Sequence, residues 1–378
     1  MRLAVDAAPL LDAVSGLGFY CERICAALAE IPELELIMTI SSWRSAEGLE
    51  RAPLPRGPRV RLLPLRAPQR LLLPAEEALG LRWRERRLLE AGADAYLGLG
   101  NVLPPLTRLP GVVVVHHVGS DTLPPGLWPR FYFRTLTDRS VARARRVIAV
   151  SERTRADVLA KWRLEPARVT MVHEGGPDVS FRPARPGDQP PSVDGPYLLH
   201  VGALVARKNV PLLLRAFGRL VERNPSLPHR LVLAGRDGDA SAEVARLCAG
   251  VPLAERVLRL GAVPRATLVA LYQGASVAAV PSRLEGFGFP VLEAMACGTP
   301  VVVSTAGSLP EIAGDAALTH DPDDEQGLGV ALERLLGDPA LAAELRRKGL
   351  ERAAAFSWRR AAAETLAVVR GAVASAKI

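Results

Sequence analysis

The chain has 378 residues, 49% of them apolar and 23% charged, with a formal net charge of +8. This composition excludes a disordered or fibrous chain and supplies enough apolar material for two domains. No window approaches the ~18 uninterrupted apolar residues of a membrane span, and with only four lysines (Lys161, Lys208, Lys348, Lys377) nearly all the positive charge is arginine.

The opening "MRLAVDAAPL" reads as a strand that starts at once, without the long apolar core of a signal peptide, so a cytoplasmic protein is expected. Next comes "SGLGFYCERICAAL", with Gly16 and Gly18 between that strand and a helix starting near Phe19. The dinucleotide fingerprint needs a third small residue where Cys21 stands, and a shorter loop, so NAD binding is not expected. Cys21 and Cys25 lie one helical turn apart, while Cys248 and Cys297 stand alone. With no C-x-x-C pair, neither a zinc site nor a disulfide framework is suggested.

Basic residues dominate between Arg51 and Arg87 and again from Arg130 to Arg146. Within or beside these stretches, "LRWRERRLLE" and "LWPRFYFRTLTDR" cluster aromatics with arginines. Core-facing helices with basic outer faces account for them. Contact with an anionic membrane surface, a phosphorylated acceptor or nucleic acid is the sharper alternative.

From there the chain alternates. Apolar runs such as "AYLGLG", "GVVVVHH", "RVIAVS", "RVTMVHEG", "YLLHVGA", "RLVLAGRD", "SVAAVPS" and "TPVVVS" end in or run into small or turn residues, and helical patterns such as "VPLLLRAFGRLVERN" lie between many of them. Continuous apolar strands alternating with helices mean buried parallel sheets, an α/β fold. "RPARPGDQPPSVDGP" (Arg182–Pro196) has no periodicity and reads as a linker. The expected domains are therefore 1–185, 186–355 and a terminal helix, 356–378, packing back on the first. Ligands of open α/β sheets sit beyond the carboxyl ends of the strands. That singles out Gly16, His116, Gly202, Gly235 and Glu285.

After Gly202, Arg207 and Lys208 precede a helix expected to begin near Asn209. Two adjacent cations suit a diphosphate. At ~4 Å and an effective dielectric of ~20, each charge pair is worth roughly 4 kcal/mol before desolvation. A helix end supplies only ~0.3–2 kcal/mol. Asp237-Gly238-Asp239 reads as a turn rather than a metal motif.

In "EGFGFPVLEAMACGTPVVV" (Glu285–Val303), Gly286, Phe287, Gly288 and Phe289 form a loop that leads to Pro290 at the first turn of a helix, with Gly298 as its stop. Helix N–H groups and glycine backbone make an anion cradle. Glu293, placed in the first turn, suits the hydroxyls of a ribose, and Glu285 those of a transferred sugar, because a carboxylate accepts from two O–H donors.

This stretch resembles the signature of retaining glycosyltransferases of family 4, with seven residues between the paired glutamates Glu285 and Glu293. "SGLGFYCERICAAL", "VVVVHHVGS", "RRVIAVSERTRADVLAKW", "ARVTMVHEGGPDVSFRP", "YLLHVGALVARKN" and "STAGSLPEIAGDAALTHDPDD" resemble family segments in the same order. The resemblance implies a GT-B fold: two Rossmann-like parallel-sheet domains facing across a cleft. It also implies metal-independent hexosyl transfer with retention from a nucleoside diphosphate sugar. That donor would be GDP-, UDP- or dTDP-linked, with no cofactor. Mannose- or rhamnose-type transfer to a glycan or lipid-linked acceptor is favoured, with no nucleic acid; peripheral membrane contact through the basic N-terminal domain stays open beside a merely solvated arginine face. It aligns His116 with a histidine near the donor sugar, and places Gly16 and Gly18 near the donor phosphates and the acceptor. The position after this histidine is often acidic in the family and is His117 here, which leaves the choice between the two histidines open. His173, His200, His229 and His320 are read as structural. Two rival readings remain: a GT-B epimerase acting on the donor alone, and a non-catalytic protein that binds anionic surfaces.

Overall fold

The computed structural model describes residues 1–12, 16–41, 53–65, 67, 69–118, 135–191 and 193–376. The chain forms two compact units, Met1–Gly175 with Ser357–Ile378, and Gly176–Phe356.

In chain order the first unit contains β1 (Arg2–Asp6), α1 (Gly16–Ala29), β2 (Glu35–Ser41), β3 (Val60–Leu65), α2 (Gln69–Leu79), α3 (Trp83–Glu90), β4 (Ala95–Gly98), β5 (Gly111–Val115), α4 (Thr137–Arg143), β6 (Arg146–Ala149), α5 (Glu152–Trp162) and β7 (Val169–Met171). The second contains β8 (Tyr197–Val201), α6 (Val210–Arg223), β9 (Arg230–Ala234), α7 (Ser241–Cys248), β10 (Val257–Gly261), α8 (Arg265–Gly274), β11 (Val277–Val280), α9 (Phe289–Ala296), β12 (Val301–Ser304), α10 (Leu309–Ala313), β13 (Ala317–His320), α11 (Glu325–Gly337) and α12 (Pro339–Ala354). The final helix, α13 (Trp358–Ser375), belongs to the first unit.

Both sheets are parallel. Their orders are β3-β2-β1-β4-β5-β6-β7 and β10-β9-β8-β11-β12-β13. The central strands are buried along their whole length, for example Val112–Val115 and Val301–Val303. This is why their sequences run apolar without alternation. In each sheet the order reverses once, between β1 and β4 and between β8 and β11. Ligands of doubly wound sheets bind beyond the strand ends at such a reversal.

The segment expected as a linker is integral to the second unit. Phe181 packs on Tyr272 at 6.0 Å, Arg182 pairs with Asp188 at 2.8 Å, and Gln273 donates to the Arg182 carbonyl at 2.9 Å. These contacts move the boundary back to Gly175, away from residue 185. In the first unit α13 packs on α1 and the central strands, and Arg145 Nη2 donates to the Ser375 carbonyl at 2.9 Å.

The "LRWRERRLLE" segment forms α3, whose inner face buries Arg84, Glu85 and Leu88 while Arg82, Arg86 and Arg87 face solvent. Arg84 pairs with buried Glu76 at 3.3 Å, and Glu85 accepts from the Thr107, Arg108 and Leu109 amides. A core-facing helix with a basic outer face is therefore what forms. Much of "LWPRFYFRTLTDR" lies outside the described residues. The four cysteines are free thiols, three of them buried. Among the described residues, no helix is long and apolar enough to cross a membrane, and no group of three His, Cys, Asp or Glu is placed to hold a metal ion.

Candidate active site

The charged chemistry of the second unit gathers just past β8 and β11, at its order reversal. Beyond β8 the chain passes Gly202 and enters a short 3-10 turn, Ala206–Lys208. Both ends of this turn are pinned. The Ala206 amide donates to Asp239 Oδ1 at 2.7 Å, and Asn209, in the left-handed region at φ 57°, donates through Nδ2 to the carbonyls of Pro281 (3.2 Å) and Pro322 (2.8 Å). Asp237-Gly238-Asp239 is thus a turn whose carboxylates bond within the unit; Asp237 takes Arg259 at 2.8 Å. Gly235 lets the loops touch, because a Cβ there would lie 1.9 Å from the Gly202 carbonyl oxygen.

The turn aims Arg207 and Lys208 at one carboxylate. Arg207 Nη1 donates to Glu285 Oε2 at 3.1 Å and to the Leu284 carbonyl at 3.3 Å. Lys208 Nζ donates to Glu285 Oε1, which also accepts from Ser282 Oγ at 2.8 Å. Lys208 and Glu285 are both buried, and the Arg207 side chain is 36% exposed. Burial pushes the Glu285 carboxyl upward, but the charges of Lys208 and Arg207 and two side-chain hydrogen bonds outweigh it, so the group stays below the usual carboxylate range. The two cations expected to face a diphosphate are therefore engaged by Glu285 in the free chain.

A second loop holds Glu285 from behind. Ser308 Oγ donates to the carbonyls of Glu285 (3.1 Å) and Phe287 (2.7 Å). Gly307, at φ 61°, passes so close that a Cβ would lie 2.7 Å from the Glu285 carbonyl oxygen. Phe287 is buried against Phe289 and Phe356, at 5.4 and 5.7 Å, which anchors the loop. Gly286 is half-buried, and Gly288, at φ 113°, is the N-cap of α9, with Pro290 in its first turn.

Glu293 lies in the second turn of α9, not the first, because the helix already begins at Phe289. Its Oε2 accepts from the Tyr272 hydroxyl at 3.0 Å. Burial raises the Glu293 carboxyl to about 7, only partly offset by the Tyr272 hydrogen bond and the more distant Arg265 and Lys208 charges. The paired glutamates thus sit in opposite electrostatic settings: Glu285 is fixed as an anion, and Glu293 is poised near neutrality. Below this pair, His200 donates from Nδ1 to the Ala279 carbonyl at 3.0 Å; burial and the Lys208 charge push it down to about 4, so the ring is neutral.

In the first unit His116 follows β5, beside the reversal at β1 and β4. Its Nδ1 lies 2.9 Å from Glu174 Oε1, its Nε2 lies 2.8 Å from the Leu99 carbonyl, and its amide donates to Asn101 Oδ1 at 3.0 Å. The Tyr20 ring meets it edge-on at 4.7 Å. His117 is half-buried next to it. Gly16 opens α1 three residues before the expected start, is exposed, and has open space where a Cβ would stand; Gly18 is buried.

The family "Glycosyl transferases group 1" matches residues 182–352, and the "Glycosyl transferase 4-like domain" matches residues 15–175. The chain belongs to the group 1 glycosyltransferases. The two matches fall one on each unit. An "O-antigen chain mannosyltransferase B" of Escherichia coli is 28% identical over 97% of this chain and 98% of its own length. A "D-inositol 3-phosphate glycosyltransferase" of Thermobifida fusca is 33% identical over 62% of this chain, which spans 57% of that relative. The transferase is similar in structure to a sucrose-phosphate synthase from Thermosynechococcus elongatus (TM-score 0.76, 21% identity, 99% and 100% of the two chains). It also resembles Anabaena HepE in complex with UDP (TM-score 0.70, 18% identity, 97% and 99% of the two chains). The fold is GT-B, built from two Rossmann-like parallel-sheet units.

Within the second unit of the transferase, the structure brings together Gly202, Arg207, Lys208, Glu285 and the 286–289 loop. Glu293 joins them through the same helix, with a hydroxyl partner instead of a cation. Sequence reading missed the supports: Ser282, Ser308, Gly307 and Tyr272, and Glu174 in the first unit. Ser282 carried a signal in its place three residues before Glu285, and Glu174 carried one in the "VHEGG" that follows β7. Tyr272 sits mid-helix, where an aromatic reads as core.

Proposed function

We propose that the transferase moves a hexose, of mannose or rhamnose type, from a nucleoside diphosphate sugar to a hydroxyl of a glycan, glycolipid or glycoconjugate, retaining the anomeric configuration. The observation that carries this reading is the Arg207–Lys208–Glu285 cluster at the β8/β11 reversal, where two cations converge on a site suited to an anion. The full-length similarity to a mannosyltransferase supports the choice of sugar.

In this reading the second unit binds the donor and the first binds the acceptor. Arg207, Lys208 and the backbone around Gly288 stabilise charge as it builds on the departing diphosphate oxygen. Glu285 orients the sugar and Glu293 takes the ribose hydroxyls, while in the first unit His116 is the polar side chain offered at the strand ends. The bond from the anomeric carbon to the phosphate oxygen breaks as the acceptor oxygen attacks the same face, and the acceptor proton passes to a phosphate oxygen. No metal is needed, because the side-chain cations supply the charge. Exposed Leu71, Leu79, Leu81 and Trp83, next to Arg82, Arg86 and Arg87, support a peripheral contact with an anionic membrane on the cytoplasmic side.

The test is a transfer assay with labelled GDP-mannose, dTDP-rhamnose and UDP-glucose, lipid-linked and free glycan acceptors, and excess EDTA. The expected result is a product of unchanged anomeric configuration, formed equally with and without EDTA. An inverted product, loss of activity in EDTA, or isomerisation of the donor without an acceptor contradicts it.

A further inference from the structure

We infer that Glu285 is a built-in competitor of the donor diphosphate, occupying Arg207 and Lys208 when the site is empty and reclaiming them as the spent nucleotide leaves. This rests on the reading that the two cations hold the diphosphate.

Among the described residues, the carboxylate has no other partner of comparable charge. Both oxygens are engaged, one by each cation, and Ser282 adds a third donor. The backbone of Glu285 is fixed by Ser308 and by the close pass of Gly307, so the carboxylate stays beside the cations when a ligand displaces it. Because Glu285 and Lys208 are buried, solvent ions screen their attraction little. A diphosphate must therefore take hydrogen-bond donors that already have an anionic acceptor.

The charge balance makes this useful. Two cations and one carboxylate leave the site with a net charge of one. Once the sugar has left, the free terminal phosphate gains negative charge, since its second ionisation lies near ~6. Two uncompensated cations would hold that product more tightly than the donor and slow turnover. A carboxylate that competes for the same N–H donors weakens the hold on both and restores the empty state. The alternative is that Glu285 only pre-orients Arg207 and Lys208, and it predicts the opposite: removing the carboxylate then weakens diphosphate binding.

Calorimetric titrations of wild type, Glu285→Gln and Glu285→Asp with inorganic pyrophosphate, UDP, GDP and dTDP separate the two. Glu285→Gln is expected to bind pyrophosphate and the cognate nucleotide at least ~10-fold more tightly, on the scale of close charge-pair couplings. Its inhibition constant for the product should fall in parallel. Glu285→Asp, which keeps the charge but withdraws it by one methylene, should fall between, and it decides the matter should the Gln variant melt at room temperature. If wild type binds and a folded variant binds equally or more weakly, the competition is overturned while the proposed function stands. If wild type binds none of the four probes, the proposed function itself fails, and the competition with it.

Discussion

Replacing Lys208 with alanine removes the cation that meets Glu285 Oε1 and leaves a buried carboxylate with Arg207 and Ser282 alone. Breaking a buried pair costs ~3–5 kcal/mol. Arg207 still holds the other oxygen, which places the loss at the lower end, about 3 kcal/mol. For a unit the size of Gly176–Phe356, that lowers the melting temperature by roughly 6–12 °C. The pH dependence carries a sign. The native Glu285 carboxyl lies below its ordinary value, so its contribution is present above the unfolded-state pKa of ~4.3 and fades as pH falls through the native value. Without Lys208, burial meets less opposition and the carboxyl rises. The stability gap between wild type and variant should therefore widen as pH rises from below the unfolded-state value of ~4.3. Turnover should fall by ~10²–10³, as when a strong oxyanion donor is lost. Calorimetric melting across pH and single-turnover transfer measure both effects. A variant with wild-type melting and turnover within threefold of wild type excludes both roles of Lys208, since neither a buried partner nor a charge stabiliser would then have been lost.

Three other perturbations follow from the same geometry. Glu293 has a raised native carboxyl near 7, so stability relative to the unfolded chain declines as pH climbs from ~4.3 through 7, by at most roughly 4 kcal/mol. Glu293→Gln should flatten that decline in urea titrations from pH 5 to 8, and an unchanged slope would exclude Glu293 as its source. Tyr272→Phe removes the hydroxyl that holds Glu293 Oε2; the donor KM should rise ~10-fold, from the loss of about 1.5 kcal/mol, while kcat changes little. A fall confined to kcat would show that Tyr272 acts elsewhere. Gly307→Ala forces a Cβ to within 2.7 Å of the Glu285 carbonyl oxygen at φ 61°; it should destabilise the second unit by about 1–3 kcal/mol and weaken nucleotide binding, both visible in a thermal-shift titration.

Much of this architecture was legible because buried parallel strands have one chemistry. Runs such as "GVVVVHH" and "TPVVVS" cannot face water on either side, and β5 and β12 formed where they stand. Arg207, Lys208 and Glu285 were legible for a related reason: each lies in the loop that leaves a strand at a sheet reversal. The domain boundary was not, because proline and glycine in Arg182–Pro196 mark an irregular path without revealing that Phe181 and Arg182 are bound into the second unit. Nor was the first turn of α9, since Phe289 opens the helix ahead of Pro290 and moves Glu293 one residue deeper, into the second turn. The partners of the charged groups were illegible for a third reason. Ser308 and Gly307 reach Glu285 from a distant segment, and Glu174 reaches His116 across the sheet. Such contacts depend on tertiary placement, which local pattern does not encode.

The most direct measurement uses the scarcity of lysine in this chain. With only Lys161, Lys208, Lys348 and Lys377 present, nitrogen-15 labelling of lysine gives side-chain signals that single substitutions can assign. On titration with the cognate nucleoside diphosphate, the Lys208 ammonium signal should shift in step with binding while the other three stay in place. Saturation of the protein with nucleotide while the Lys208 signal stays fixed would contradict the role given to this cation.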